Sequence, residues 1–513
     1  MPVSSEWKVI LVAIAGTFMV ILDQTIVNVA LPHIMAVFNE TAERAQLVIS
    51  AYLMATAIST PAAAFLSTRF GIKRVYLLAQ AGFLAGSVLC GMAWNTNTLI
   101  LFRIIQGLSG GLLMPLAMTF LFTSVPYEER GSAMAIFGIP MMLGPAIGPT
   151  LGGYLVTDLT WRMCFYVNVP VVILAIYIGL SWIEDTPKSP VSFDYKGFLF
   201  AAVGFSSLLY GLSYAPSWGW GDERILGLFA LGIVSIATWV ISELKVKSPM
   251  LDLRIFTYGG YSLAIGINFV TTIGLFSAVF LLPLFLQNLR GLSAFDSGLI
   301  LLWGALGPAI TMPISGRLYD RIGPRVPVLL GLVITGFTTL WLQGLDITTP
   351  DSAIRLILFL RGMGLGLAMM PVMTYALAAV PMKMTSQASS LINVTRTVFG
   401  SLGIAVFGSL LDNFQKTNLA TLVQTVTPNS VEALRVLSTI QVTALQSGLT
   451  MDAARQLGTV VLYQFVNVKA SVMAFDSDYL IAALIVFAGI LPALFLPHGS
   501  LKKGGTAGEI PLS

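Results

Sequence analysis

Along almost the whole chain, runs of apolar residues long enough to cross a bilayer alternate with short polar segments, and this repeat sets the architecture. A hydrocarbon core of roughly 30 Å is crossed by roughly 20 apolar residues in helical form. Lipid offers the backbone no hydrogen-bond partner, so each run must satisfy its own amides as a helix, whereas barrel strands would alternate polar and apolar side chains. The pattern predicts spans near 9–31, 45–66, 75–93, 99–122, 133–156 and 164–183, two more near 197–215 and 224–243, and six near 259–287, 296–316, 325–344, 354–377, 386–411 and 479–497. The expectation is an all-α membrane protein of fourteen transmembrane helices, with a six-helix bundle over 1–183, a two-helix insert over 184–258 and a second six-helix bundle over 259–513.

The segment 455–475 is apolar enough to suggest a further span, but it carries Gln464, Asn467 and Lys469 and reads as an interfacial amphipathic helix. It belongs to the one long polar insertion, 412–478, in which 431–446 and 451–475 look helical. That insertion is either a helical cap on the outer face or a docking surface for a second protein.

Composition agrees with a lipid solvent: of 513 residues 56% are hydrophobic and 10% charged, against about 25% charged in soluble domains. The first run is too long for a signal-peptide core and lacks a small-residue cleavage site. Cys90 and Cys164 lie in apolar segments without CxxC spacing and read as packed free thiols, and His33 and His498 sit at span ends. No metal or cofactor is implied, and nothing points to nucleic acid. A membrane enzyme would need His clusters or paired carboxylates, and direct use of ATP would need a Walker A loop; none is present.

Charge orients the chain. Loops on the side of the termini hold sixteen Lys and Arg, from Lys8 through Arg130, Lys247 and Lys383 to Lys502 and Lys503, whereas the short opposite loops hold five, namely Arg44, Arg162, Arg224, Arg290 and Arg355. The positive-inside rule then places both termini in the cytoplasm of a cell (inner) membrane and 412–478 outside.

Two halves repeat. The loop after the second span reads Ala64-Phe-Leu-Ser-Thr-Arg69-Phe-Gly71-Ile-Lys73-Arg74, and the loop after the tenth reads Gly316-Arg-Leu-Tyr-Asp320-Arg321-Ile-Gly323-Pro-Arg325. Each is followed two spans later by an intramembrane arginine, Arg103 and then Arg361. Internal symmetry of this kind is characteristic of transporters.

On these residues the chain resembles the major facilitator superfamily, in particular its fourteen-span drug:proton antiporter branch of the EmrB and QacA type. Leu22-Asp-Gln-Thr-Ile-Val-Asn-Val-Ala-Leu-Pro32 looks like the first-span signature of that branch, and Arg103-Ile-Ile-Gln106-Gly107 is similar to its fourth-span motif. Gly144-Pro145-Ala-Ile-Gly148-Pro149-Thr-Leu-Gly152-Gly153 looks like the antiporter motif of span 5, followed by Trp161-Arg162 and Asn168-Val-Pro170. Ser390-Leu-Ile-Asn393-Val-Thr-Arg396 through Gly403 resembles the penultimate span. The resemblance implies the major facilitator fold and proton-coupled multidrug efflux by alternating access, with an amphiphilic small molecule, protons and lipid as partners. For EmrB-like systems it also implies a periplasmic adaptor protein at the 412–478 loop. Thr68 and Ala64 depart from the loop motif, so a conformational latch would rest on the second copy around Asp320. An exporter of one lipid, siderophore or metabolite would use the same scaffold; a proton-coupled importer fits the span-5 pattern less well.

Asp23 is the most informative position, since an ionisable group in hydrocarbon costs at least roughly 2.5 kcal/mol and persists where it pairs or meets water. It lies roughly 22 Å along its helix from Lys8, and Arg103, entering from the other side, reaches the same depth. The pair is either a proton switch or a static ion pair. Gln24 and Asn28, with Thr17 one repeat earlier, form a polar stripe that either lines the cavity or bonds a neighbouring helix; Gln106 is a further cavity candidate. Gly144, Gly148 and Gly152 bare one face of span 5 for close packing, static or moving between the two halves. Asn393, Arg396, Gly400 and Gly403 share a face, and Arg396 meets either substrate or helix-end carbonyls, as does Arg361. Gly316, Asp320, Arg321, Gly323 and Arg325 form either a state-dependent latch or a topology signal. No acid other than Asp23 is expected in the membrane, which argues against a strongly cationic substrate.

Overall fold

The computed structural model describes residues 5–499 apart from 185, 187, 189, 191, 247, 248, 427–429, 448 and 449. Lys247, Lys502 and Lys503 of the orientation argument therefore lie outside the described residues. The helices are α1 (Ser5–Phe38), α2 (Ala42–Ser59), α3 (Ala62–Phe70), α4 (Ile72–Met92), α5 (Thr96–Ser124), α6 (Arg130–Tyr154), α7 (Met163–Tyr166), α8 (Asn168–Trp182), α9 (Tyr195–Trp218) and α10 (Glu223–Lys245). They continue with α11 (Gly259–Leu284), α12 (Ala294–Ile322), α13 (Arg325–Trp341), α14 (Asp351–Ala378), α15 (Thr385–Thr425), α16 (Val431–Gln446), α17 (Met451–Ala488) and α18 (Ile490–Ala493). Among the described residues thirteen helices are long and apolar enough to cross a membrane, fourteen with the bent pair α2 and α3 taken as one span.

Side-chain caps start several of these helices, as the orphan amides of a first turn require. The Asn95 carbonyl oxygen of the side chain accepts from Thr98 N at 2.8 Å, and Asp194 accepts from Gly197 N at 2.9 Å. The expected span 45–66 is not one straight helix. It breaks by 51° between Ser59 and Ala62, where Pro61 has no amide to donate and its ring excludes a regular preceding turn.

The internal repeat extends into backbone and bonding. Gly71 and Gly323 end α3 and α12 with φ of 88° and 84°, a conformation that needs glycine. In the first half Thr56 and Thr60 donate their hydroxyls to the carbonyls of Gly107 and Gly111 (3.3 and 3.1 Å). In the second half Thr311 and Ser315 donate to Met363 and Leu367 (3.0 and 2.8 Å). Gly111 and Leu367 each lie four residues before a helix proline, Pro115 and Pro371, so the hydroxyl satisfies a carbonyl that the proline leaves without its amide.

The helices α1 to α8 pack as one bundle and α11 to α15 with α17 as another; α9 and α10 pack on each other, with α9 also against α2 and α15. The bundles meet where α6 lies along α12 and α5 against α15.

Two expectations for the long insertion change. The segment 455–475 does not lie apart as an interfacial helix: it is the first part of α17, which runs unbroken through Ala488. Likewise α15 continues past 411 to Thr425. At 1.5 Å per residue these helices are roughly 57 and 61 Å long, about twice the hydrocarbon core, so their joined ends project from one face of the protein with α16 packed on α17. Asn467 inside the apolar run serves the hairpin, while Gln464 and Lys469 are exposed: Gln415 Nε2 donates to Asn467 Oδ1 (3.3 Å) and Asn418 Nδ2 to the Ala470 carbonyl (3.4 Å).

Candidate functional site

The chemistry gathers inside the first bundle. Asp23, at 0% exposure, projects from α1 into a pocket closed by α2, α4, α5 and α8. Its Oδ2 accepts from Arg103 Nη1 at 2.5 Å, and its Oδ1 accepts from Asn168 Nδ2 (2.9 Å) and Gln106 Nε2 (3.0 Å). Arg103 also donates Nη1 to Gln106 Oε1 (2.8 Å) and Nε to the Val48 carbonyl (3.3 Å), and its guanidinium lies 4.0 Å from the centre of the Tyr52 ring. Gln106 Nε2 donates further to Ser87 Oγ at 2.8 Å. Small residues make this convergence possible: a Cβ at Gly86 would stand 2.7 Å from the Gln106 Cα, and one at Gly107 2.6 Å from the Tyr52 carbonyl oxygen.

The structure thus brings Asp23, Arg103 and Gln106 together and adds Asn168, Ser87 and Tyr52. Asn168 stood in a recognisable motif, but Ser87 and Tyr52 carry no sequence signal: one is a common helix residue and the other an ordinary aromatic in an apolar run. The stripe on α1 does not share the pocket. Successive helix residues point about 100° apart, so Gln24 is half-buried beside the pocket and Asn28 is exposed. Thr17 is buried with its hydroxyl donated to the Ala13 carbonyl (2.7 Å).

The second bundle repeats the arginine without the acid. Arg361 donates Nε to Thr339 Oγ1 (3.1 Å) and Nη2 to the carbonyl of Gly274 on α11. Where α1 presents a carboxylate to the first arginine, α11 presents only main chain to the second.

The antiporter-motif glycines, read as close packing either static or between the halves, make their contact inside the first half. Gly144, Gly148 and Gly152 pack on Ile21, Thr25 and Ile26 of α1, within one half; a Cβ at Gly144 would stand 2.6 Å from Ile21 Cγ2. The Thr25 hydroxyl donates to the Gly144 carbonyl at 3.2 Å across the same contact. The seam between the halves uses a different face of α6, where Gly131, Gly138 and Thr150 meet Asp320, Met370 and Gly298. Glycines three and four apart mark close approach; they do not say to which helix.

At that seam Asp320 accepts from Gly131 N (2.8 Å), Ser132 N (3.0 Å) and Ser132 Oγ (2.7 Å), a carboxylate set on the first turn of α6, where exposed amides favour an anion. Gly316 lies against Gly131 and Ser132. Arg321 is exposed and Arg325 half-buried. In the first copy of the loop Thr68 donates to the Ala64 carbonyl of its own helix (2.8 Å). Nearby, Ser389 Oγ of α15 lies 2.7 Å from Thr119 Oγ1 and donates to the Pro115 carbonyl (2.9 Å), and Asn393 Nδ2 donates to Met118 Sδ (3.2 Å).

Asp23 is not the only buried acid. Asp478 on α17 is 0% exposed with no hydrogen bond to either oxygen, and Glu243 on α10 is 0% exposed and accepts from Trp239 Nε1 (2.8 Å). The sequence reading placed Asp478 in the external insertion because the polar residues before it obscured a continuous helix. It sits on a helix that packs against α11, α13 and α15, within the second bundle. Among the described residues no cluster of three or more potential metal ligands occurs.

A helical membrane protein with two related bundles and buried charges in their interiors is a solute carrier in its architecture. The chain belongs to the Major Facilitator Superfamily, whose model matches residues 13–404. It is a multi-pass membrane transporter and not an enzyme. It is 37% identical to the uncharacterized MFS-type transporter YhcA of Bacillus subtilis, over 95% of this chain and 92% of that one. It is 31% identical to the multidrug resistance protein B homolog of Mycobacterium tuberculosis (95% and 89%) and 27% identical to the lincomycin resistance protein LmrB of Listeria monocytogenes (79% and 86%). The crystal structure of the human organic anion transporter MFSD10 (TETRAN) superposes with a TM-score of 0.58 at 14% identity, covering 94% of this chain and 99% of that one, which shows the shared fold.

Proposed function

We propose that this transporter exports amphiphilic small molecules in exchange for protons, by alternating access, with Asp23 and Arg103 as the proton-handling pair. The observation that carries the reading is the asymmetry of the repeat: one half buries a titratable acid against its arginine, and the other ties the equivalent arginine to main chain. A proton arriving on Asp23 Oδ2 takes the place of the Arg103 donor. Arg103 then keeps Gln106 Oε1, the Val48 carbonyl and the Tyr52 ring, so it is not left as a bare charge in a dry site. Loss of the proton to the other side restores the pair. The relatives that resist lincomycin and other drugs support export as the direction.

The basic loops support cytoplasmic termini. In that orientation the Asp320 and Ser389 contacts join the halves on the cytoplasmic side as a latch, and α15 to α17 project outward. Replacing Asp23 by Asn in reconstituted vesicles should leave the fold intact, by melting temperature, and abolish substrate movement driven by a pH gradient. Transport by the variant that still follows the gradient would exclude the pair from coupling.

A further inference from the structure

The three arginines inside the bundles differ in what answers their charge. Arg103 has a carboxylate, an amide oxygen and a carbonyl; Arg361 has a hydroxyl and a carbonyl. Arg396, about three turns into α15 and half-buried, has nothing comparable: its Nη1 is buried without a hydrogen-bond partner, and no carboxylate among the described residues stands by it. It also donates to no helix-end carbonyl, which removes the structural role the sequence left open.

Its position faces the other half. Ser389 and Asn393, seven and three residues earlier on α15, touch Thr119, Pro115 and Met118 of α5, and helical periodicity sets Arg396 on the same face, one turn beyond those contacts. One turn further along α15 the neighbours are aromatic. Phe399 packs on Phe269 of α11 with ring centres 4.8 Å apart, and Phe276 lies against Gly400, where a Cβ would come within 2.7 Å of the ring. A guanidinium N–H withdrawn from water without an acceptor is costly, and a ligand that brings an anionic oxygen removes that cost while offering a second acceptor to the planar fork.

Building on the export reading, we propose that Arg396 is the anion-binding group of the substrate cavity, so that the transported amphiphile carries a carboxylate or similar anionic oxygen on an aromatic or apolar body. Asp23 does not compete for it, being held by Arg103 within the first bundle, and neither oxygen of Asp478 has a hydrogen bond to it.

Binding to the purified full-length protein, measured by fluorescence without any gradient, separates this inference from proton coupling. The probes are 1-pyrenebutyrate, its methyl ester and the pyrenebutyl trimethylammonium cation. The carboxylate should bind at least about tenfold more tightly than the cation, and Arg396→Met should weaken the carboxylate by about tenfold or more while changing the ester less than about twofold. Arg396→Lys, which keeps the charge and loses the fork, should fall between. Equal losses for carboxylate and ester, a preference for the cation, or no binding of the carboxylate would overturn the proposal. If Arg396→Met fails to fold, the probe preference of the parent and the Lys variant decides. Failure of the Asp23 experiment with these binding results intact would overturn proton export alone.

Discussion

Around Asp23 each contact has a separable consequence, because a carboxylate with two oxygens and three donors responds differently to the loss of each. Asn168 donates to Oδ1 and makes no bond to Arg103, so Asn168→Ala removes one donor and leaves the ion pair in place. We therefore expect Asn168→Ala to keep gradient-driven transport with a rate lowered by no more than about tenfold, where Asp23→Asn abolishes it. Initial rates under one fixed pH gradient check this; a loss as complete as that of Asp23→Asn would argue that the Asn168 donor is indispensable to the pair. Ser87 joins the pocket by accepting from Gln106, and Tyr52 by its ring beside the Arg103 guanidinium; both depend on which helices meet, so neither could be singled out from residue type.

At the level of helices, contact is written by where side chains are missing. Gly144, Gly148 and Gly152 let α6 lie on α1, whereas a Cβ at Gly153 meets nothing within 4 Å. Leucine at Gly144 should destabilise the protein by about 1–3 kcal/mol through overpacking against Ile21, and leucine at Gly153 should stay within about 0.5 kcal/mol of the parent. Thermal unfolding of the two variants in detergent reads the difference. Equal melting temperatures would mean that the α1 and α6 contact is looser than described. The period-four glycines were visible in the sequence, but their partner was not, since a bare helix face fits any neighbour of matching shape.

For the whole molecule, we propose that the polar contacts of Asp320 and Ser389 latch the halves at one end of their seam. Cys90 and Cys164 are buried, so single engineered thiols report cleanly. A thiol at Ser447→Cys, on the projecting hairpin, should react with an impermeant maleimide in intact cells. One at Lys383→Cys should react only after permeabilisation. Reversal of these would overturn the orientation. In the same assay Ser389→Cys, buried in the seam, should react severalfold faster from the Lys383 side once Asp320→Ala removes three bonds to α6. No acceleration would leave Asp320 as a local cap and not a latch.

The succession of the spans, the duplicated halves with their glycine-ended basic loops, and the candidacy of Asp23 and Arg103 follow from the sequence by itself. The reason is that lipid forces every crossing segment to be a long apolar helix and makes each charge within one conspicuous. Only the tertiary structure decided that α17 is continuous, that the span-5 glycines serve α1, that Arg361 answers to main chain and that Arg396 answers to nothing. Those are relations between helices distant in the chain, and a periodic apolar pattern carries no information about which neighbour fills a given face.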